Sequence, residues 1–206
     1  MAAGLVQSLA KPGGNITGYS ILSNELNPKR LALMKEAVPG LTRVSLLHRP
    51  GDVNLERNLK LLAEPARKLG LTIVPSEVRD AADLERAFEQ IARQKASGMI
   101  GSWGDSFYFQ HRDRIANLAV KRRIVAGGTS IESARAGYLF SYGPDYPALF
   151  KRSASLVDRI LKGANPANIP VEQANVYELG ANMKTARAVG IKLPPSFLLQ
   201  ATQTIE

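Results

Sequence analysis

The feature that most constrains this chain is the regular exchange of two apolar periods along it. Residues 43–48, RVSLLH, form a short continuous apolar run of the kind carried by a strand covered on both faces. Leu55, Leu59, Leu62, Ala66 and Leu69 then recur at helical spacing, and Gly70 closes that helix. Pro65 inside it predicts a kink or a split, because an interior proline loses a backbone bond. Strand character returns over 71–78. Asp80 caps a helix carrying Leu84, Phe88 and Ile91, a strand covers 98–102, and Trp103 to Phe109 reads as a polar and aromatic loop. A helix with Ile115, Leu118 and Ala119 inward comes next, then a strand over 123–126, a Gly127-Gly128-Thr129 loop and a short helix.

The two ends follow the same logic. Residues 5–19, LVQSLAKPGGNITGY, read as the end of a helix, a Pro-Gly-Gly turn and a short strand over 16–19. Asn27-Pro28 opens a helix to about Val38, with Asn27 as N-cap, and Pro39-Gly40 stops it. A strand over 138–142 leads to Pro144 and a long helix over 146–161 ended by Gly163. Residues 171–179 are extended, 183–189 helical, and Gly190 and Pro194-Pro195 break the tail.

Strands and helices that alternate through short loops predict an α/β fold, a Rossmann-like parallel sheet with helices on both faces. Ligands of such sheets sit beyond the carboxyl ends of the strands. The candidate loops are therefore 49–52, 104–109, 127–130 and 143–145.

Composition narrows the chemistry. The chain has 206 residues, 45% of them hydrophobic and 22% charged, enough for one sizeable domain or a domain with part of another. With no cysteine, disulfides, thiolate catalysis and cysteine-based metal sites are excluded. The net charge is +9, and its densest cluster, Lys121 to Arg123 with Arg112 and Arg114, reads as a solvated helix face. No aromatic residue is interleaved with that cluster, so nucleic acid is not an expected partner. The apolar runs fall short of the roughly 20 residues that span a bilayer, and Met1 is not followed by a secretion signal, so the chain as written reads as cytoplasmic. No dinucleotide or Walker glycine pattern is present, and no cofactor is expected. His48 and His111 are too few for most metal clusters, His48 being read as capping or packing and His111 as surface. Ser102 and Ser106 lack a nucleophile elbow, and Asp105 lacks a catalytic partner. Asp105 is more plausible as a contact for a cationic part of a solute.

Several stretches together resemble the substrate-binding proteins of ABC transporters, in particular the tryptophan-binding (TrpX-like) group. They are LVQSLAKPGGNITGYS, KRLALMKEAVPGLTRVSLLHRP, FQHRDRIANLA, GYLFSYGPDY, VDRILKGANPANIPVEQ and KTARAVGIKLPPSFLLQATQTIE, in family order over nearly the whole chain. The resemblance implies a type I periplasmic binding protein: two Rossmann-like lobes that close on a small solute, such as an amino acid or related compound, and present it to an ABC permease. It implies no enzyme activity. Against a family length of some 300 residues, it also implies that most of the first lobe is missing. Residues 1–20 would be a remnant of lobe one and the first crossover, and 21–142 would be lobe two. Residues 143–172 would return to lobe one, and 173–206 would cross back to lobe two. A chain so shortened is expected to bind solutes weakly alone. Its lobe-one remnants would favour self-association, with Leu149, Phe150, Val157 and Ile160 exposed on one stripe. The intact family is periplasmic or lipid-anchored.

On the same resemblance the cleft-side residues are Arg49, Asp105, Ser106, Thr129, Tyr142 and Asp145. Three departures from the family pattern fall in ligand-facing loops. His48 and Arg49 stand where an aromatic and Asn are usual. Gly104 and Ser106 replace prolines on either side of Asp105, and Ile131 replaces an Arg before Glu132. They bear on which solute is taken and leave the fold untouched. Two other classes share enough of the pattern to be weighed: the effector-sensing core of a LacI-type regulator, which would need a helix-turn-helix at its N-terminus, and a small α/β enzyme, which would need a catalytic set.

Overall fold

Side chains that alternate across a strand must be matched by apolar layers on both sides of the sheet, and that pairing organises this molecule. The computed structural model describes residues 4–21, 23–102 and 105–206. In chain order the elements are β1 (Tyr19–Ser20), α1 (Asn27–Ala37), β2 (Arg43–His48), α2 (Leu55–Lys68), β3 (Thr72–Glu77), α3 (Leu84–Arg93), β4 (Gly98–Gly101), α4 (Ser106–Gln110) and α5 (Arg112–Lys121). There follow β5 (Val125–Gly128), α6 (Ile131–Ala136), β6 (Phe140–Pro144), α7 (Tyr146–Leu161), β7 (Glu172–Gln173), β8 (Tyr177–Asn182), α8 (Met183–Val189), α9 (Pro195–Gln200) and β9 (Gln203–Ile205). The chain divides into a larger unit, Ser23–Gly143 with Glu178–Glu206, and a smaller one, Pro144–Tyr177 with the described residues up to 21.

The larger unit is built on a seven-stranded sheet of order β3-β2-β4-β5-β6-β8-β9. β2 pairs in parallel with β3 and β4, and β4–β5, β5–β6 and β8–β9 are parallel too. Neighbouring strand residues feed opposite layers. Leu46, Ile100, Val125 and Phe140 enter one core with Met34, Leu62 and Phe197. Leu47, Met99 and Ala126 enter the other with Phe88, Ile91, Ile115 and Tyr138. This is the α/β architecture that the periodicity predicts.

Several local expectations are corrected. Gly127-Gly128 is the end of β5, not a loop. A Cβ on Gly127 would lie 2.7 Å from the Phe140 ring, and one on Gly128 would lie 2.4 Å from the Ser133 Cβ, so both positions require glycine for close packing inside a strand. β6 correspondingly begins at Phe140 and not at Tyr138. α2 runs unbroken through Pro65, so the expected split is absent, and the Leu69 N–H still bonds Pro65 O at 3.1 Å. Asn27 lies inside α1 and does not cap it; its Nδ2 donates to Gly101 O at 3.3 Å, and its Oδ1 accepts from Arg30. Ser106–Gln110 forms a short helix within the expected 103–109 loop, whose Trp103 and Gly104 lie outside the described residues. Beyond Pro194, α9 starts on Pro195 as its first helical residue, and β9 completes the sheet edge.

The smaller unit pairs β1 with β7 in parallel, Tyr19 opposite Glu172. Arg152 on α7 ties this ribbon down. It bonds Glu172 and the Asn175 Oδ1, and its guanidinium lies 5.3 Å from the centre of the Tyr19 ring. Residues 4–9 are not the helix end that the sequence predicts. Gln7 N donates to Pro12 O at 2.9 Å and Ser8 exchanges bonds with Lys11, so the segment satisfies its backbone in a turn. Leu149 is buried, against the expectation of a continuous exposed stripe, while the other three, Phe150 (74% exposed), Val157 and Ile160, do face solvent, as does Leu161.

Candidate functional site

Because β2 and β4 are parallel neighbours, with Leu47 opposite Gly101, their chains leave the sheet side by side. β2 passes into the loop that opens α2, and β4 passes toward α4. Between them lies a cleft of about 410 Å³ lined by Arg49, Asp52, Ser102, Asp105, Ser106 and Tyr108, among others. It occupies the position beyond the strand ends where α/β sheets take ligands.

Each polar group has a structural reason to be where it is. Asp52 is followed two residues on by Asn54, whose N–H donates to the Asp52 Oδ1 at 2.9 Å, an Asx turn that shapes the approach to α2. Asp105 caps α4, accepting from Phe107 N at 2.8 Å. Ser102 is 5% exposed and extends β4 by one bond, from its N–H to Leu47 O at 2.8 Å. Its hydroxyl oxygen accepts from the buried Asn58 Nδ2 at 2.6 Å, which leaves the hydroxyl proton to be donated elsewhere. The Tyr108 phenol donates to Leu47 O at 3.1 Å, and burial pushes its pKa up, so it stays a neutral donor. His48 is buried and its Nδ1 lies 3.1 Å from Arg49 O, which marks that nitrogen as the protonated one.

Arg49 is the cation of the cleft. Its guanidinium sits 4.6 Å over the Phe107 ring, and its Nε lies 3.5 Å from the Asp105 Oδ2. Phe107 is itself held, edge-on to Tyr108 at 5.6 Å and to His111 at 4.6 Å. His111 is thus half-buried and in ring contact, a correction to its reading as a surface residue.

Of the residues expected at the cleft, the structure brings Arg49, Asp105 and Ser106 together. Thr129 and Tyr142 do not line this cleft. Thr129 follows the end of β5 and Tyr142 lies within β6, beside Gly143, which packs so closely that a Cβ on it would lie 1.7 Å from Thr129 O. Tyr142 packs on the core, and its carbonyl accepts from the Arg30 Nε at 2.8 Å. Asp145 belongs to the smaller unit and caps α7, accepting from Ala148 N at 2.9 Å. Asp52, Ser102 and Tyr108 were not among the expected contacts. Asp52 and Tyr108 do fall in the candidate loops 49–52 and 104–109, and the Asp-x-Asn spacing at 52–54 is a signal that could have singled out the first; nothing local marks Ser102. Among the described residues no group of three His, Asp or Glu is placed to hold a metal ion, and no helix is long and apolar enough to cross a membrane.

Residues 1–205 match the family described as ABC transporter substrate binding protein. A tyrosine-binding protein of Clostridioides difficile (strain R20291) is 25% identical over 191 residues, which is 92% of this chain and 54% of that protein. The chain therefore spans about half the length of that curated relative. A conserved domain protein from Vibrio cholerae has a solved structure that superposes with a TM-score of 0.84 at 28% identity, covering 98% of this chain and 67% of the other. The ABC domain from Streptococcus pneumonia, solved in complex with L-Trp, gives a TM-score of 0.82 at 23% identity over 98% of this chain and 69% of that one. The fold these comparisons share is that of type I periplasmic binding proteins.

Proposed function

The chain belongs to the ABC transporter substrate-binding protein family, and from that premise we propose that it serves as the solute-binding component of an ABC import system. The observation that carries this reading is the cleft at the adjacent ends of β2 and β4, which groups Arg49, Asp105 and Ser106 beyond the sheet. The solute class we propose is amino acids or closely related compounds. Support comes from the tyrosine-binding relative and from the tryptophan-bound structure of similar fold. The cleft suits such a solute, since it offers a fixed cation, hydroxyl donors and an aromatic wall at Tyr108. We further propose an extracytoplasmic site of action and an ABC permease as the partner that receives the solute, both on the family's usage. The family assignment over 1–205 favours this reading over the core of a LacI-type regulator, and family members bind solutes and do not turn them over.

The test is a titration of the chain with the twenty common amino acids, followed by amide chemical shifts so that weak binding is seen. Saturable shifts at residues 49–54 and 102–106 with at least one of them are expected. Filling the rim by Ser106→Trp should weaken that binding at least about tenfold. No saturable shift with any amino acid up to 10 mM (about the weakest binding the method resolves) would remove the amino-acid reading.

A further inference from the structure

We infer that Arg49 is an anion anchor of this cleft and that Asp105 occupies its guanidinium as a placeholder, to be exchanged for a carboxylate of the solute. This deepens the amino-acid reading above and rests on it for the solute class.

The first observation is how unequally the two partners are held. Arg49 is fixed independently of its counter-ion, with its guanidinium stacked 4.6 Å over Phe107, a ring braced by Tyr108 and His111. A guanidinium positioned in this way has little freedom left to lose when a ligand arrives. The ion pair with Asp105 is loose by comparison. Its N···O approach, from the Arg49 Nε to the Asp105 Oδ2, is 3.5 Å, with side chains 32% and 43% exposed. Strong guanidinium–carboxylate pairs are bidentate at about 2.7–2.9 Å. A pair as exposed and long as this one contributes little, and water competes with it.

The second observation is that Asp105 has another occupation. Its Oδ1 accepts from Phe107 N at 2.8 Å and caps α4. When Arg49 turns to a solute, that bond keeps the Asp105 carboxylate in place and solvated. The exchange therefore strands no buried charge.

The third observation is the direction of the neighbouring hydrogen bonds. Ser102 accepts from Asn58, so its hydroxyl proton is left to point elsewhere, and Ser102 is both 95% enclosed and part of the cleft wall. Asp52 accepts from Asn54 N at its Oδ1, and its Oδ2 is shut away from solvent with no partner among the described residues. Apart from the Asp105 carboxylate itself, the groups that the cleft can present are a cation and a hydroxyl donor, which are complementary to an anionic group.

The test uses three probes of one shape: L-tryptophan, indole-3-propionate without the ammonium, and tryptamine without the carboxylate. Acetate against chloride at equal ionic strength serves as a shape-free anion. Affinities are read by calorimetry or amide shifts, with the Arg49 Nε–H signal followed directly. The two carboxylates should bind at least about tenfold tighter than tryptamine. Arg49→Gln should remove that advantage by weakening the carboxylates and not tryptamine, and Arg49→Lys should restore part of it. Asp105→Asn, whose amide oxygen still caps α4, should tighten carboxylate binding by about two- to fivefold, because the placeholder charge is gone. A receptor role for Asp105 toward the solute ammonium predicts the opposite sign.

The inference is overturned if tryptamine binds best, if Arg49→Gln changes carboxylate affinity less than twofold, or if Asp105→Asn weakens it. Tryptophan binding that ignores Arg49 would remove this inference and leave the amino-acid reading standing. Arg49-dependent binding of indole-3-propionate or acetate, with no amino acid bound, would do the reverse. Silence from every carboxylate, acetate included, ends both.

Discussion

The two units of this chain bury their apolar side chains to very different degrees. In the larger unit Phe88, Phe140 and Phe197 are all 0% exposed, each within a core on one face of a seven-stranded sheet. In the smaller unit a two-stranded ribbon and one long helix leave Phe150 74%, Val157 54% and Leu161 82% exposed. Two-stranded ribbons have little independent stability, and α7 must take what order it has from Arg152, the Asp145 cap and the buried Leu149 and Leu156. The comparison teaches that stability and the cleft reside in the same unit. The smaller unit holds its geometry through polar ties, among them the Thr17 Oγ1 bond to Ile169 O at 2.7 Å.

The strongest way to break that comparison is to cut the larger core. Phe88→Ala removes a fully enclosed ring from α3 where it meets β2, β4 and α5. It should cost about 3–5 kcal/mol, the usual price of a phenyl-sized cavity that cannot collapse. Urea unfolding with an unchanged slope would measure it. A loss under about 1 kcal/mol would mean that this core is not what holds the chain folded.

A smaller effect is expected at the polar centre of the same unit. Arg30 is 0% exposed and donates to Tyr142 O at 2.8 Å, Ser23 O at 2.6 Å and the Asn27 Oδ1 at 2.9 Å. Ser23 opens the first stretch of this unit, Ser23–Gly143, and Tyr142 lies next to its end. Arg30→Met keeps the volume and deletes the donors. It also relieves the desolvation of a buried cation, so the orphaned carbonyls should win by only about 2 kcal/mol. Arg30→Lys, with one compact donor group, should recover part of the loss. Equal stability of Arg30→Met and the parent would show that water replaces the guanidinium there.

How far the sequence could carry this picture differs element by element. α7 over 146–161 and α8 over 183–189 were legible because caps and glycines frame them, and β2 because its run is apolar and continuous. Gly127-Gly128 misled because glycine usually signals a turn, whereas here the Phe140 ring and Ser133 demand its missing Cβ. α9 was hidden because Pro194-Pro195 suggests an ending, yet a proline fits the first turn of a helix. At the site, the strand-end rule pointed to the loops that hold Arg49 and Asp105. It could not foresee that Phe107 would lie under the guanidinium, because that contact joins residues 58 positions apart only once β2 and β4 are paired. The Asn58–Ser102 bond, which sets the direction of the Ser102 proton, is tertiary in the same way.

The smallest effect expected is the one that sharpens the comparison most. Phe150 sits on the exposed face of α7 with most of its ring in water. Phe150→Gln exchanges it for a good helix former of lower hydrophobicity. Little apolar area is returned to solvent by the change, because little is buried, so stability should move by no more than about 0.5 kcal/mol. The contrast with Phe88→Ala is then a ratio of about six or more between two phenylalanines of one chain. Light scattering supplies the second half of the measurement. If the exposed face drives association of copies, Phe150→Gln should reduce it at unchanged stability. A loss of 2 kcal/mol or more in a monomeric protein would instead show that Phe150 is packed in solution, and that the smaller unit is better enclosed than its surface implies.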